Sequence, residues 1–308
     1  MDHLSQARQE QRQGLAATVG ASVIWGVLPI YWKLLSHVSP WLIILHRLFW
    51  SFAFLLLLKG KNGQILSTLA LLKNRRTCLW ASLRGLVIAS NWLIFIWAVG
   101  SGHIVEASLG YFMTPMMNAI LGMIFFQERP YGLQRLSILL AIAGVGVQLI
   151  ILGHLPWIAI SLSGSFAAYA AMRKADVQDS ITGLFLETTL LTPIAGGLLI
   201  WLSCHGQGGL VENPLQTVLI MASGVATSTP LLLYAFGTKR LTLTSMGLIQ
   251  FIAPSLNMII GVFMYHEEVS RGLLLSFMFI WLALILYSLE SLRLHRHTES
   301  ISTDWRPK

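Results

Sequence analysis

Charged side chains are scarce in this chain: Asp, Glu, Lys and Arg make up 11% of its 308 residues, against about 25% in an ordinary soluble domain. So few charges cannot cover a water-facing surface, and a soluble globular fold is excluded. Cysteine is rarer still, with Cys78 and Cys204 alone, which leaves no disulfide framework. A P-loop, a G-x-S-x-G elbow, Cys/His metal spacing and paired carboxylates on one face are also missing, so neither ATP hydrolysis nor covalent catalysis has a candidate site. The chain is therefore not expected to be an enzyme, and no cofactor or metal is expected. No nucleic-acid motif occurs, and no loop is long enough to form a soluble signalling module.

What the chain has is apolar length: 55% hydrophobic residues and a mean hydropathy of +0.67. A membrane helix needs about 20 mostly apolar residues. Ten runs qualify, near 14–35, 40–58, 79–100, 104–126, 133–152, 155–172, 181–203, 215–236, 242–264 and 272–290. The period-two alternation of a membrane β-barrel is absent, so each span must satisfy its backbone polar groups internally, as a helix. The expected fold is an all-α membrane protein of ten transmembrane helices. Connections are short except for residues 59–78, KGKNGQILSTLALLKNRRTC, where an interfacial helix is expected. No small-residue cleavage site follows the first run, which reads as a retained anchor.

Basic residues set the orientation, because cytoplasmic loops collect Lys and Arg. With the N-terminus inside, 17 of the 21 basic residues fall in cytoplasmic segments, Lys33 and Arg271 fall outside, and Arg47 and Arg84 lie in or at the edge of spans. Both termini are then cytoplasmic. The net charge of +8 is a topology signal, matched to anionic lipid headgroups and not to nucleic acid. In this topology Cys78 and Cys204 lie near opposite surfaces, beyond disulfide reach.

The chain repeats itself. The pattern P-x2-N-x3-G-x5-E occurs at Pro115, Asn118, Gly122 and Glu128 and again at Pro254, Asn257, Gly261 and Glu267, an offset of 139. Upstream, Ser108 and Gly110 match Ser245 and Gly247 at 137, while Ser22 and Lys33 match Ser163 and Lys174 at 141. Two copies of a five-helix unit, 14–152 and 153–290, stand between tails at 1–13 and 291–308. Five is odd, so the second copy enters the membrane from the opposite side. Inverted repeats of this kind are the usual build of secondary transporters, with a site near the midplane exposed to either side in turn.

Within the repeat, Ser108, Tyr111, Pro115, Asn118 and Gly122 share one helix face, as do Gly247, Gln250, Pro254, Asn257 and Gly261. Such stripes suit either a cavity lining or close helix packing. A proline also frees a carbonyl one turn earlier, which a solute could contact. Trp25 and Asn91 are further substrate contacts to consider. His46 and Arg47 lie about 10 Å into the second span, level with Glu106 at the start of the fourth. An Arg47–Glu106 pair is expected, with snorkelling of Arg47 to headgroups as the alternative. His46 could titrate near neutral pH. Glu187, the repeat counterpart of His46, is a candidate for coupling to protons, or else a static partner of Lys174, Lys239 or Arg240.

Four stretches carry a family resemblance: NWLIFIWAV (Asn91 to Val99), EASLGYF (Glu106 to Phe112), LGMIFFQE, and LHRLFWS (Leu45 to Ser51). They resemble RarD-type permeases of the EamA family, in the drug/metabolite transporter superfamily, and the resemblance runs from about Gly14 to Glu290. It implies a ten-span permease of a bacterial inner membrane, built of two EamA repeats and often labelled for chloramphenicol sensitivity or resistance. The expected function is secondary transport, as an exporter, of a small organic molecule, more amphipathic than strongly charged. A channel-like facilitator and a non-transporting scaffold or sensor are the alternatives. Lipid bilayer and small-molecule substrate are the expected partners, with a homodimer as the assembly to test.

Overall fold

A computed structural model of the protein describes residues 2–61, 63–206, 214–266 and 270–304, and all regular structure among them is helical. In chain order the helices are α1 (Asp2–Leu34), α2 (Pro40–Lys61), α3 (Ile65–Ala70), α4 (Arg75–Gly100), α5 (Ile104–Phe126), α6 (Leu133–Leu152), α7 (Trp157–Lys174), α8 (Ser180–Cys204), α9 (Pro214–Thr238), α10 (Leu243–Gln250), α11 (Ile252–Tyr265) and α12 (Arg271–Asp304). Nine stretches of the described residues are long and apolar enough to cross a membrane, α10 and α11 forming one of them together. This is an all-α, multi-pass membrane protein. The helix that falls short is α7, whose 18 residues include Ser161, Ser163 and Ser165 and end in Arg173 and Lys174.

Helix α1 already begins at Asp2 and α12 runs on to Asp304, so helix continues beyond the apolar stretches Arg8–Leu34 and Arg271–Glu290. Neither extension contains proline or glycine before residue 14 or between 291 and 304, and Gln, Arg, Glu and Leu favour helix once one has started. Between α2 and α4 stand the short α3 and a 3₁₀ turn, Leu71–Lys73. One feature departs from the sequence reading: the run 242–264 is two helices and not one. It breaks at Phe251, three residues before Pro254, which has no N–H to give to Gln250. Of the second motif copy, Glu267 lies outside the described residues, as do Arg306 and Lys308.

The first motif copy ends as the second does. Gln127 and His266, at the offset of 139, are the non-glycine residues of positive φ among the described residues, 51° and 54°, and each closes its helix by donating its N–H to the carbonyl of the motif glycine, Gly122 or Gly261. Packing then joins the two halves. Helix α5 lies on α7 and α10, α2 on α8 and α9, α1 on α9 and α11, α4 on α7 and α8, and α6 pairs with α12. Lipid offers no hydrophobic drive to such pairs, so close backbone approach has to hold them. Gly247 of α10 meets the Pro115 carbonyl of α5, where a Cβ would collide, and Gly224 of α9 sits against the Trp50–Ser51 backbone of α2. Leu109, Phe112 and Met113 of α5, with Met246 and Ile249 of α10 and Phe277 and Ile280 of α12, belong to the central apolar cluster.

Because successive helices run to and fro, both described ends of the chain fall at one end of the bundle. That end, marked by the starts of α1, α4, α8 and α10, is called the termini end below.

Candidate functional site

Midway along the bundle lies a buried polar network built from both halves. Asn118 of α5 is fully buried; its Nδ2 donates to Gln250 Oε1 of α10 at 2.7 Å and lies 3.0 Å from Tyr234 Oη of α9. Its Oδ1 has no partner. Trp25 of α1 packs on Tyr234 and Phe166, with ring centroids 5.3 and 5.7 Å apart. The structure thus brings together Trp25, Asn118 and Gln250, and sets the Pro115 carbonyl against Gly247. Pro254 and Asn257 are carried on α11, beyond the break, and the Asn257 Oδ1 is also without a partner. Asn91 stands apart, tying α4 to α7 through Leu162 O at 2.7 Å and Ser165 Oγ at 2.9 Å.

The first-motif residues all face α10. Beyond Pro115 and Asn118, Gly122 leaves room for Glu128 and Leu243. Glu128 reaches across to cap α10, accepting from the N–H groups of Leu243 at 2.7 Å and Thr244 at 2.9 Å. A carboxylate there is favoured by the unpaired N–H groups and dipole of a helix start. Lys174 stands 3.7 Å from the same carboxylate and over the Phe126 ring.

Toward the opposite end, Arg47 of α2 lies between two indoles, 4.8 Å from the Trp32 ring and 4.9 Å from that of Trp92, and its Nε donates to Thr227 Oγ1 of α9 at 2.9 Å. The expected pair with Glu106 is not formed: among the described residues no carboxylate lies within ion-pair distance of Arg47, and Glu106 is buried with Oε2 unpartnered. The guanidinium is drawn instead to the indole faces of α1 and α4. His46 is buried with both ring nitrogens unpartnered. Tyr111 of α5 is 54% exposed, although its phenol lies close enough to Arg47 to interact with it electrostatically. Helices α2 and α5 do not pack closely on each other, and the Tyr111 ring meets Phe95 edge-on, with centroids 5.7 Å apart.

At the termini end the bundle is closed by a charge-balanced cluster. Glu187 Oε1 of α8 accepts from Arg84 Nε of α4 at 2.7 Å and Arg173 Nη1 of α7 at 3.3 Å, and Tyr169 donates to Oε2 at 3.1 Å. Asp176 Oδ2 lies 3.1 Å from Arg84 Nη2 and 3.0 Å from Arg173 Nη1. Two guanidiniums and two carboxylates offset each other's burial. The static partners expected for Glu187 are thus replaced: Lys174 goes to Glu128, the Lys239 ammonium to the carbonyls of Asp176 and Gln178, and Arg240 to the Phe236 ring. Above the cluster, a narrow void is bounded by Ile88, Trp92, Glu187, Thr188 and Ser228.

Residues 12–150 match the EamA-like transporter family. An uncharacterized transporter of Vibrio cholerae is 37% identical over 287 residues, covering 93% of this chain and 95% of its own length. Protein RarD of Escherichia coli K12 is 36% identical, covering 94% and 98%. This chain is a RarD-type member of the EamA-like transporter family. A crystal structure at 15% identity shares the fold, with a TM-score of 0.68 over 91% of this chain and 98% of that one.

Several residues that shape this RarD-type protein had no signal of their own in the sequence. Arg173, Asp176, Tyr169, Tyr234, Thr227 and Trp32 stand in no motif or repeat position that would single them out. Only Trp92 carried a hint, as the neighbour of Asn91 in the family stretch.

Proposed function

We propose that the protein is a gradient-driven permease for a small organic molecule, with export as its direction, built of two inverted five-helix repeats that rock against each other in a bacterial inner membrane. The helix pairings support the repeat, because they exchange under the swap of halves. The pair α5 and α7 is answered by α11 and α1, α2 and α9 by α8 and α4, α1 and α9 by α7 and α4, while α2–α8, α5–α10 and α6–α12 answer themselves. Side chains follow suit: Lys174 over Phe126 is answered by Lys33, 3.4 Å from the Tyr265 ring centroid, at offsets of 141 and 139.

One contrast carries the transport reading. Arg47 is half-buried between Trp32 and Trp92 with its Nη atoms left unbonded, whereas its counterpart at the offset of 141, Thr188, is buried beside the Arg84–Glu187–Arg173 cluster and borders the narrow void. Equivalent places in two similar halves are in different states, which is what alternating access requires. In this reading Glu187 helps to latch the closed end, the Asn118–Gln250–Tyr234 network marks the midpoint of the path, and Trp25, Asn91, Pro115, Pro254 and Asn257 flank it.

Reconstituted full-length protein, offered a pool of organic metabolites and chloramphenicol with and without a proton gradient, should give saturable flux. Asn118→Leu should reach the membrane at normal levels and lose most of that flux, since the bonds removed average only about 0.6 kcal/mol each in stability. Flux that never saturates would mean a channel, and no flux of any solute would leave the scaffold reading. Flux of the Glu187→Gln variant, with and without the gradient, tests whether Glu187 also carries the coupling proton.

A further inference from the structure

Arg47 carries a permanent charge, since a guanidinium does not lose its proton in a protein. An unpaired charge at membrane depth is costly, and this one does not escape to the surface. Trp32 and Trp92 hold its plane and Thr227 fixes Nε. The two Nη atoms are left with no protein acceptor among the described residues and are not sealed from solvent. They form the end of the fork that binds a carboxylate through two parallel hydrogen bonds. The ionisable groups that interact with Arg47 are the phenols of Tyr31 and Tyr111, which are neutral at pH 7. Among the described residues no carboxylate lies within ion-pair distance of Arg47, so no counter-charge for a substrate ammonium stands directly beside it. Around the guanidinium the walls are the indoles of Trp32 and Trp92, and Tyr111, half exposed and edge-on to Phe95, carries one of the phenols that interact with it.

Resting on the permease reading above, we propose that the solute is an aromatic monocarboxylate, its carboxylate held end-on by the Arg47 Nη groups and its apolar body received among Trp32, Trp92 and Tyr111. The open fork selects the anion. The aromatic walls select a planar organic body over an inorganic ion, and the missing counter-charge selects against an amino acid.

Four probes that share one body separate these features: 3-phenylpropionate, 3-phenylpropanol, phenylalanine and 3-phenylpropylamine. Their binding is measured by titration calorimetry on the full-length protein in nanodiscs, in chloride-free buffer. The acid should bind about tenfold or more tighter than the alcohol, the value of one or two charge-assisted hydrogen bonds, with phenylalanine weaker than the acid and the amine weakest. In Arg47→Gln, acid and alcohol should bind alike. Arg47→Lys keeps the charge without the planar fork and should bind the acid several-fold more weakly than wild type, which gives a reading even if Arg47→Gln does not fold. The proposal is overturned if the alcohol matches the acid, if phenylalanine exceeds it, if Arg47→Gln keeps the preference, if Arg47→Lys binds the acid as wild type does, if chloride competes as well as phenylpropionate, or if no probe binds. The permease reading is judged separately, by flux of the metabolite pool. Flux without probe binding removes the carboxylate site alone, and probe binding without any flux keeps the site and removes the permease.

Discussion

Glu187 shows how a single intramembrane carboxylate is kept ionic. Arg84 and Arg173 donate to one of its oxygens and Tyr169 to the other, while Asp176 holds the far sides of the two guanidiniums. The cluster is neutral as a whole, and its members are almost completely buried. Removing one cation should then hurt more than removing a cation and an anion together, because only the first leaves an unpaired charge behind. Arg84→Met should lower stability by about 3 kcal/mol or more, and Arg84→Met combined with Glu187→Gln should recover most of it. Thermal unfolding of the detergent-solubilised variants decides the point, and a double variant no better than the single would mean that the charges are not coupled. The depth of Glu187 was legible in the sequence, since helix rise converts position into ångströms, but its partners were not, because they depend on how each helix is rotated about its axis. Arg47 failed for the same reason: Glu106 is at a matching level, yet the indoles of Trp32 and Trp92 and the hydroxyl of Thr227 are what its side chain meets.

At the scale of the element, hydropathy located the nine stretches of the described residues that are long and apolar enough to cross a membrane, because each needs its own apolar length. The interruption at Phe251 was not legible. Both motif prolines free a carbonyl, but α5 runs unbroken through Pro115 whereas the chain breaks ahead of Pro254, and only the packing around each decides between a kink and a break. Helix starts are clearer. Asp179 caps α8, accepting from the N–H groups of Ile181 at 3.0 Å and Thr182 at 2.9 Å. Burial pushes its carboxyl up, but the Thr182 side chain and backbone, the Lys59 charge and the Ile181 N–H together outweigh burial and hold it below the ordinary carboxylate value. A depressed value means that the carboxylate contributes stability above its unfolded value of about 3.9 and loses that contribution as pH falls through the folded value. Asp179→Ala should therefore cost about 1 kcal/mol at pH 7, with the difference from wild type shrinking below about pH 4. A penalty that stays the same at pH 3 would show that the cap, and not its charge, is what matters.

For the molecule as a whole, the proposed inverted repeat turns a sequence offset into a statement about sides. Equivalent residues of two inverted copies must lie at opposite ends of the bundle, and the contacts agree: Lys174 meets Phe126 at the termini end, where α7 and α5 finish, while Lys33 meets Tyr265 at the other end, where α1 and α11 finish. The repeated spacing behind this proposal stands out in the sequence because prolines, asparagines and lysines are few in so apolar a chain. Which end faces the cytoplasm is a separate matter, on which the charge distribution gives an expectation. Arg129 follows α5 at the termini end, together with Arg75 and Arg76 at the start of α4 and Lys239 and Arg240 after α9, whereas Arg271 opens α12 at the other end. Lys and Arg resist translocation, so the end that collects them should be cytoplasmic. Single cysteines in place of Arg129 and Arg271, in a background lacking Cys78 and Cys204, report on each end directly. In intact cells an impermeant thiol reagent should label the cysteine at 271 and spare the one at 129, and in inside-out vesicles the pattern should reverse. Labelling of both from one side would remove the inverted repeat, because one residue would have to cross the membrane for the halves to keep their pairing. Labelling of 129 from outside and 271 from inside would keep the repeat and overturn the orientation alone, placing Arg47 toward the cytoplasmic side.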